Sequence, residues 1–247
     1  MKHVVSPSQS ISKNKIKAGT LSRSIAGLSL VAAALVVLFS FQSIKKKKVI
    51  FFGDSITQQG ARPGGYIPKV DSLCRLDGLS ENFEFVGKGV GGNRVYDLFY
   101  RFQEDVLDQK PDIVIVYIGI NDVWHKTTSG TGTELNKFGA FYDKMIQKMK
   151  AQGIQPLMCT PSVIGEYNDD TNLQDGDLNT YAKWIRQYAA KNNIPLIDLR
   201  QAFMDYLDTN NPNNLEKGVL TTDRVHLNNT GNLLVAREMW KALKPLQ

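Results

Sequence analysis

Past residue 48, apolar positions fall into two alternating patterns. Short runs rich in β-branched and aromatic residues, at 49–52, 83–86, 113–118, 155–160 and 194–197, read as strands. Between them, apolar residues recur at helical spacing. Ile67, Val70, Leu73, Cys74 and Leu76 predict a helix ending near Asp77, and Val95, Leu98, Phe99, Phe102, Val106 and Leu107 predict a second. Leu135–Ala151 carries Phe138, Phe141, Tyr142, Met145, Ile146 and Met149 on one side, and Gly153 stops it. Further helices are predicted over 178–191, 202–207 and 230–240. Residues 58–68, with Gly60, Pro63, Gly64 and Gly65, read as a loop. Residues 161–175 read as a longer polar loop of the kind that shapes sites. The run at 113–118 has no polar interruption, as expected of a strand buried on both faces of a parallel sheet. Strands and helices alternate five times, with no repeat or linker within 49–247, which predicts an α/β fold with helices on both sides of a parallel sheet.

The first 48 residues follow neither pattern. Residues 1–24 are rich in Ser and Lys and read as a basic disordered tail. Residues 25–41 are apolar apart from Gly27, Ser29 and Ser40, a length at the short end for a membrane-spanning helix. A basic segment followed by an apolar one is also the order of a secretory signal. No Ala-x-Ala cleavage site follows, so residues 25–44 are expected to be an uncleaved signal anchor, with a cleaved signal peptide as the alternative. Either leads to an exported, envelope-associated protein, membrane-anchored or released as a periplasmic or secreted chain. Lysines on both flanks leave the orientation of an anchor open, and Lys45 to Lys48 would form a basic collar at lipid headgroups.

Charge changes the picture once this segment is set apart. The chain has 30 basic and 24 acidic residues, but nine of the basic ones and none of the acids lie in 1–48. The remainder is mildly acidic, which argues against a nucleic-acid-binding domain. The two cysteines, Cys74 and Cys159, define no disulfide framework, and Cys159 reads as a buried free thiol. No Cys/His spacing suggests a zinc site.

Candidate chemistry gathers where predicted strands end. The strand at 49–52 hands over through Gly53 to Asp54, Ser55 and Thr57. A serine at that edge of a parallel sheet is a candidate nucleophile; a helix cap is the plain alternative. The second strand leads into a glycine-rich turn, Gly87-Lys-Gly-Val-Gly-Gly-Asn93, in which Gly89 could bring a backbone N–H to a ligand. The third ends in Gly119-Ile-Asn-Asp122. Near the C terminus stands Asp223-Arg-Val-His226. A serine hydroxyl needs a base, histidine titrates near neutrality, and a carboxylate three residues away can orient the imidazole. The Ser55 and Gly89 N–H groups and the Asn121 amide could serve a developing oxyanion.

These four blocks, in this order across 49–247, resemble those of the SGNH (GDSL-type) hydrolase superfamily. The resemblance implies a flavodoxin-like, three-layer α/β/α fold with a five-stranded parallel sheet, occupying 45–247 as a catalytic domain. It implies carboxylic ester hydrolysis through an acyl-serine, with Ser55 as nucleophile, His226 as base and then acid, and Asp223 as its partner. Ser55, Gly89 and Asn121 would donate to the oxyanion, and no metal or organic cofactor is implied. The second block departs from the family pattern: Gly87 stands where an asparagine is usual, and Gly91-Gly92 where a Ser-Gly pair is usual. Asp54 is expected to brace the turn, and Arg62, Tyr66, Trp124 and His125 to line a pocket. The expected substrate is an ester with a short acyl group, above all O-acetyl on carbohydrate. A lysophospholipase or thioesterase, or a catalytically silent carbohydrate-binding module, are the alternatives.

Overall fold

The structure, a computed structural model, describes residues 1–4 and 45–247. The tail expected at 1–24 (beyond its first four residues) and the apolar segment at 25–44 lie outside the described residues. Among those described, no helix is long and apolar enough to cross a membrane.

Within Lys45–Gln247, strand β1 (Lys47–Gly53) is the axis. It pairs in parallel with β2 (Phe83–Gly89) on one side and β3 (Ile113–Tyr117) on the other. Strands β4 (Gln155–Cys159) and β5 (Leu196–Ile197) extend the sheet in parallel, giving the order β2-β1-β3-β4-β5. This is the flavodoxin-like order, whose switch point falls between β1 and β3. Side chains on a strand alternate between faces, and β1 shows why both faces are apolar. Phe51 meets Tyr66 of α2 (Tyr66–Leu76), with ring centroids 5.9 Å apart. Phe52 points the other way, to Phe102 of α3 (Val95–Phe102), at 6.1 Å.

Helix α2 packs with the last helix, α8 (Asn229–Leu243), whose Trp240 stands edge-on to Phe83 at 5.9 Å. Helix α7 (Leu199–Asn210) packs against α8 as well. On the opposite face α3 packs with α5 (Leu135–Ala151). There Phe138 sits within 5.7 Å, centroid to centroid, of Tyr142 and of Tyr181 and Trp184 on α6 (Asp175–Lys191). Burying one such ring contributes about 1.5–3 kcal/mol, so these clusters fix the layers. Cys74 and Cys159 are both buried and unpaired.

The observed elements differ from expectation at the strand ends. The segment expected as a loop over 58–68 is a loop only at its centre, residues 61–65: α1 (Ser55–Gly60) begins at once after β1, and α2 starts at Tyr66. Pro68 falls in the first turn of α2, where its missing N–H has no helical partner to lose. Gly87 to Gly89 belong to β2, in register with Phe51 to Gly53, so the glycine-rich turn starts only at Val90. Asn121 and Asp122 lie in the first turn of an unforeseen helix, α4 (Ile120–Thr128). Helix α3 ends in a π-helical turn, Gln103–Leu107.

Candidate active site

The site is assembled at the C-terminal edge of β1, β2 and β3. Gly53 ends β1 because its backbone is pressed on both sides: a Cβ there would lie 2.2 Å from Thr57 Oγ1 and 2.4 Å from the Tyr117 carbonyl oxygen. Asp54 follows as the N-cap of α1, its Oδ1 accepting the Ile56 N–H at 2.9 Å. The carboxyl is buried, and loss of water pushes its pKa up from 3.8 to about 7, against the pull of the Ile56 N–H, His226 and Arg101. Ser55 is the first residue of α1 and is half-buried.

His226 and Asp223 reach Ser55 from the turn before α8. His226 Nε2 lies 2.9 Å from Ser55 Oγ, and His226 Nδ1 lies 2.7 Å from Asp223 Oδ2. The second carboxylate oxygen accepts the backbone N–H groups of His226 at 2.8 Å and Val225 at 3.1 Å. Partial burial pushes the Asp223 pKa up, but these hydrogen bonds outweigh it and hold the carboxyl below its ordinary range. With Nδ1 donating to the carboxylate, Nε2 presents a lone pair to the serine hydroxyl. Such a relay can take a proton from the hydroxyl as it attacks and return it to a leaving group.

The glycine-rich turn lies over this relay. Val90 N–H donates to the Gly53 carbonyl at 3.2 Å, and a Cβ on Gly91 would come within 3.9 Å of Ser55 Cβ. Gly89 is packed beneath α1: a Cβ would fall 2.1 Å from the Gln58 nitrogen and 2.5 Å from the Thr57 carbonyl carbon. Asn121 is buried, and one of its amide N–H groups donates to the Asn93 carbonyl at 3.0 Å. An amide has a second N–H to offer.

The remaining expected residues lie on other elements. Arg62 is exposed in the turn after α1. Trp124 and His125 are half-buried neighbours on α4, and burial, then the charge of Arg94, lower the His125 pKa. Among the described residues none of these three hydrogen-bonds to Ser55, Asp223 or His226. Tyr66 is no pocket residue. It is fully buried, with its hydroxyl donating to Thr57 Oγ1 at 2.9 Å, because its ring completes the core under Phe51. Among the described residues no group of three or more His, Cys, Asp or Glu side chains could hold a metal ion.

Two supporting residues escaped the sequence reading. Arg101 of α3 donates to the Gly53 carbonyl at 2.6 Å, the Lys88 carbonyl at 3.1 Å and Asn93 Oδ1 at 2.7 Å. Its guanidinium also lies over the Phe52 ring at 4.5 Å, so one side chain ties the ends of β1 and β2 to the turn. Its one local partner is Asp105, four positions on, whereas the partners that make it a tie lie 8 to 48 positions away and leave no mark in the local sequence. Asp122 is wholly buried and accepts the Val95 N–H at the start of α3 at 3.1 and 3.2 Å. Burial, opposed chiefly by the nearby Thr133 side chain and the Val95 N–H, raises its pKa to about 7. Its place in the Gly119–Asp122 block was its only signal.

An α/β sheet of this order, with a serine, histidine and aspartate in a hydrogen-bonded line at the switch point, defines a class of hydrolytic enzymes. Comparison with known proteins narrows the class. The model of the GDSL-like lipase/acylhydrolase family matches residues 51–234. An acetylxylan esterase of Geobacillus stearothermophilus is 31% identical over 205 residues, covering 77% of this chain and 91% of that enzyme. Solved structures of that enzyme, at TM-scores of 0.70–0.71, include catalytic mutants in which a histidine, a serine or an aspartate is replaced by alanine. Another solved acetyl xylan esterase is 52% identical, with a TM-score of 0.78, covering 79% of this chain and 99% of that one. An uncharacterized lipoprotein of Bacillus subtilis is 30% identical over 127 residues, about half of each chain. The chain belongs to the GDSL-like lipase/acylhydrolase family. Its activity is carboxylic ester hydrolysis.

Proposed function

We propose that the protein is a serine esterase that removes acetyl groups from carbohydrate, acetylated xylan being the first substrate class to try. The observation that carries the reading is the line from Ser55 Oγ through His226 to Asp223, at 2.9 and 2.7 Å. Support for the substrate comes from the two acetylxylan esterases this chain is similar to. The exchange of a serine, a histidine or an aspartate in catalytic mutants of the Geobacillus enzyme supports the same three residue types here.

In this reading Ser55 Oγ attacks the acetyl carbonyl carbon while His226 Nε2 takes the hydroxyl proton. The carbonyl oxygen becomes an oxyanion, met by the Ser55 and Gly89 N–H groups and the second amide N–H of Asn121, each worth on the order of 3 kcal/mol at the transition state. The C–O bond to the sugar breaks, and imidazolium returns its proton to the sugar oxygen. Water, deprotonated by His226, then attacks the acetyl-serine, and acetate leaves as Ser55 regains its proton. Asp223 holds the ring in the tautomer that both half-reactions need and stabilises the imidazolium formed in each.

The test is the Ser55→Ala chain beside the unsubstituted one, assayed for acetate release from aryl acetates and acetylated xylan and for labelling by a fluorophosphonate. Replacement is expected to abolish labelling and to lower kcat by about 10⁴-fold or more. Equal labelling and turnover in the two proteins would sink the serine mechanism. Activity on long-chain lysolipids without activity on acetyl esters would replace the substrate class with a lysophospholipase.

We further propose that the protein is exported to the cell envelope, on the signal-like order of residues 1–41 and the similarity of half the chain to a lipoprotein. The mass of the mature protein checks the retained segment: a chain beginning near residue 45 means that 25–44 are removed.

A further inference from the structure

Glu166 lies in the long segment between β4 and α6 and has no surface exposed to solvent. A carboxylate in such a place is costly unless donors replace the lost water. Here three consecutive backbone N–H groups converge on it. Val219 donates to Oε2 at 2.8 Å, Leu220 donates to Oε1 at 2.8 Å, and Thr221 donates to the same Oε1. The arrangement is the backbone nest that elsewhere receives an anion, filled by the chain's own side chain.

The segment held by Glu166 leads directly to Asp223. Thr221 Oγ1 accepts the Arg224 N–H at 3.2 Å, and the Thr222 N–H donates to the His226 carbonyl at 2.8 Å. The backbone of Glu166 and its neighbour clamps the same turn: Glu166 N–H donates to the Glu216 carbonyl and Gly165 N–H to the Arg224 carbonyl, both at 2.9 Å. Arg224, between the two members of the Asp–His pair, has φ +87°, a conformation that a side chain disfavours and that surrounding contacts must enforce.

We propose that Glu166 is a positioning residue for Asp223 and His226: by binding the N–H groups of Val219, Leu220 and Thr221, its carboxylate sets the turn that aims the imidazole at Ser55. This rests on the serine mechanism proposed above. Glutamine is nearly the same shape, but its NH₂ would face a backbone N–H where an oxygen now accepts.

The experiment compares Glu166→Gln, Asp223→Ala and the unsubstituted full chain. Glu166→Gln is expected to keep its circular dichroism and its KM for an aryl acetate within about threefold, while kcat falls at least about tenfold. The downfield proton resonance of the imidazole N–H hydrogen-bonded to Asp223 is expected in the unsubstituted protein. It should vanish in Asp223→Ala and broaden or vanish in Glu166→Gln, with the methyl resonances of the sheet unchanged. Unsubstituted kcat and an intact resonance in Glu166→Gln, beside an inactive Asp223→Ala, would overturn the role of Glu166 alone. Full turnover in Asp223→Ala would overturn the mechanism beneath it. If Glu166→Gln does not fold, amide exchange in the unsubstituted chain decides. Leu220 and Thr221 amides as slow as those of β3 support the nest, and amides as fast as exposed turns overturn it.

Discussion

Asp54 shows how one side chain beside Ser55 couples the site to stability. Its carboxyl is raised from 3.8 to about 7 chiefly by burial. Between those values the folded chain keeps a proton that the unfolded chain releases. The stabilisation is therefore complete below the unfolded value and is lost as pH rises through the folded one. Asp54→Asn stays neutral throughout and keeps an oxygen to accept the Ile56 N–H. Urea unfolding is expected to favour the variant progressively as pH rises from about 4 to 8, by on the order of a few kcal/mol across the window. A stability difference that does not vary with pH would contradict the buried, protonated acid. Residues of this kind were unequally legible. Ser55, Asp223 and His226 stood out because their residue types and spacing imply a relay. Arg101 and Glu166 did not, since each acts on backbone groups far along the chain. Tyr66 follows the first block and so is expected beside the site, but its ring is taken up by the core against Phe51, a packing that no local pattern announces.

Among elements, the junction of β2 with α1 is held at close quarters. Gly89 was singled out as a donor of an N–H, yet its missing side chain has a second cause in packing. Any Cβ would strike the backbone at Thr57 and Gln58, which cannot swing aside as a flexible side chain could. Gly89→Ala is expected to lower stability by about 3 kcal/mol or more, at or above the upper end for overpacking, and to displace Ser55 with α1. Thermal melting checks the first effect and fluorophosphonate labelling the second; an alanine variant with unchanged melting and labelling would contradict the close approach. Long elements were easy to read: α5 presents six apolar residues at helical spacing over 17 positions, and its observed bounds equal those expected. The short helices α1 and α4, of six and nine residues, were not. Each begins close to a strand end, and its first turn mixes polar residues with one or two buried apolar ones, Ile56 in α1 and Ile120 and Val123 in α4, too short a run to show helical spacing.

For the whole molecule, alternation of strands and helices was enough to imply a parallel sheet, whereas the strand order emerges only from pairing between distant segments. Cys74 belongs to α2 and Cys159 to β4, both unpaired and buried. Burial pushes both thiols up, helped at Cys74 by Asp71 and Asp77. The thiolate is the reactive form, so two free cysteines can persist even in an oxidising compartment. A thiol reagent is expected to find almost no reactive groups in the native protein and both after unfolding, and reductant should leave the melting temperature unchanged. Rapid labelling of the native protein, or a melting temperature that falls in reductant, would contradict this.

The direction of β1 has a consequence for how the enzyme meets its substrate. The chain enters the sheet at Lys47 and reaches the nucleophile only after the strand has run its seven residues. At about 3.3 Å per residue, that separates Lys47 from Ser55 by roughly 20 Å. The reactive serine is thus displayed at the edge of the sheet opposite to the one at which β1 begins. An ester substrate therefore reaches Ser55 from the side of the sheet away from Lys47.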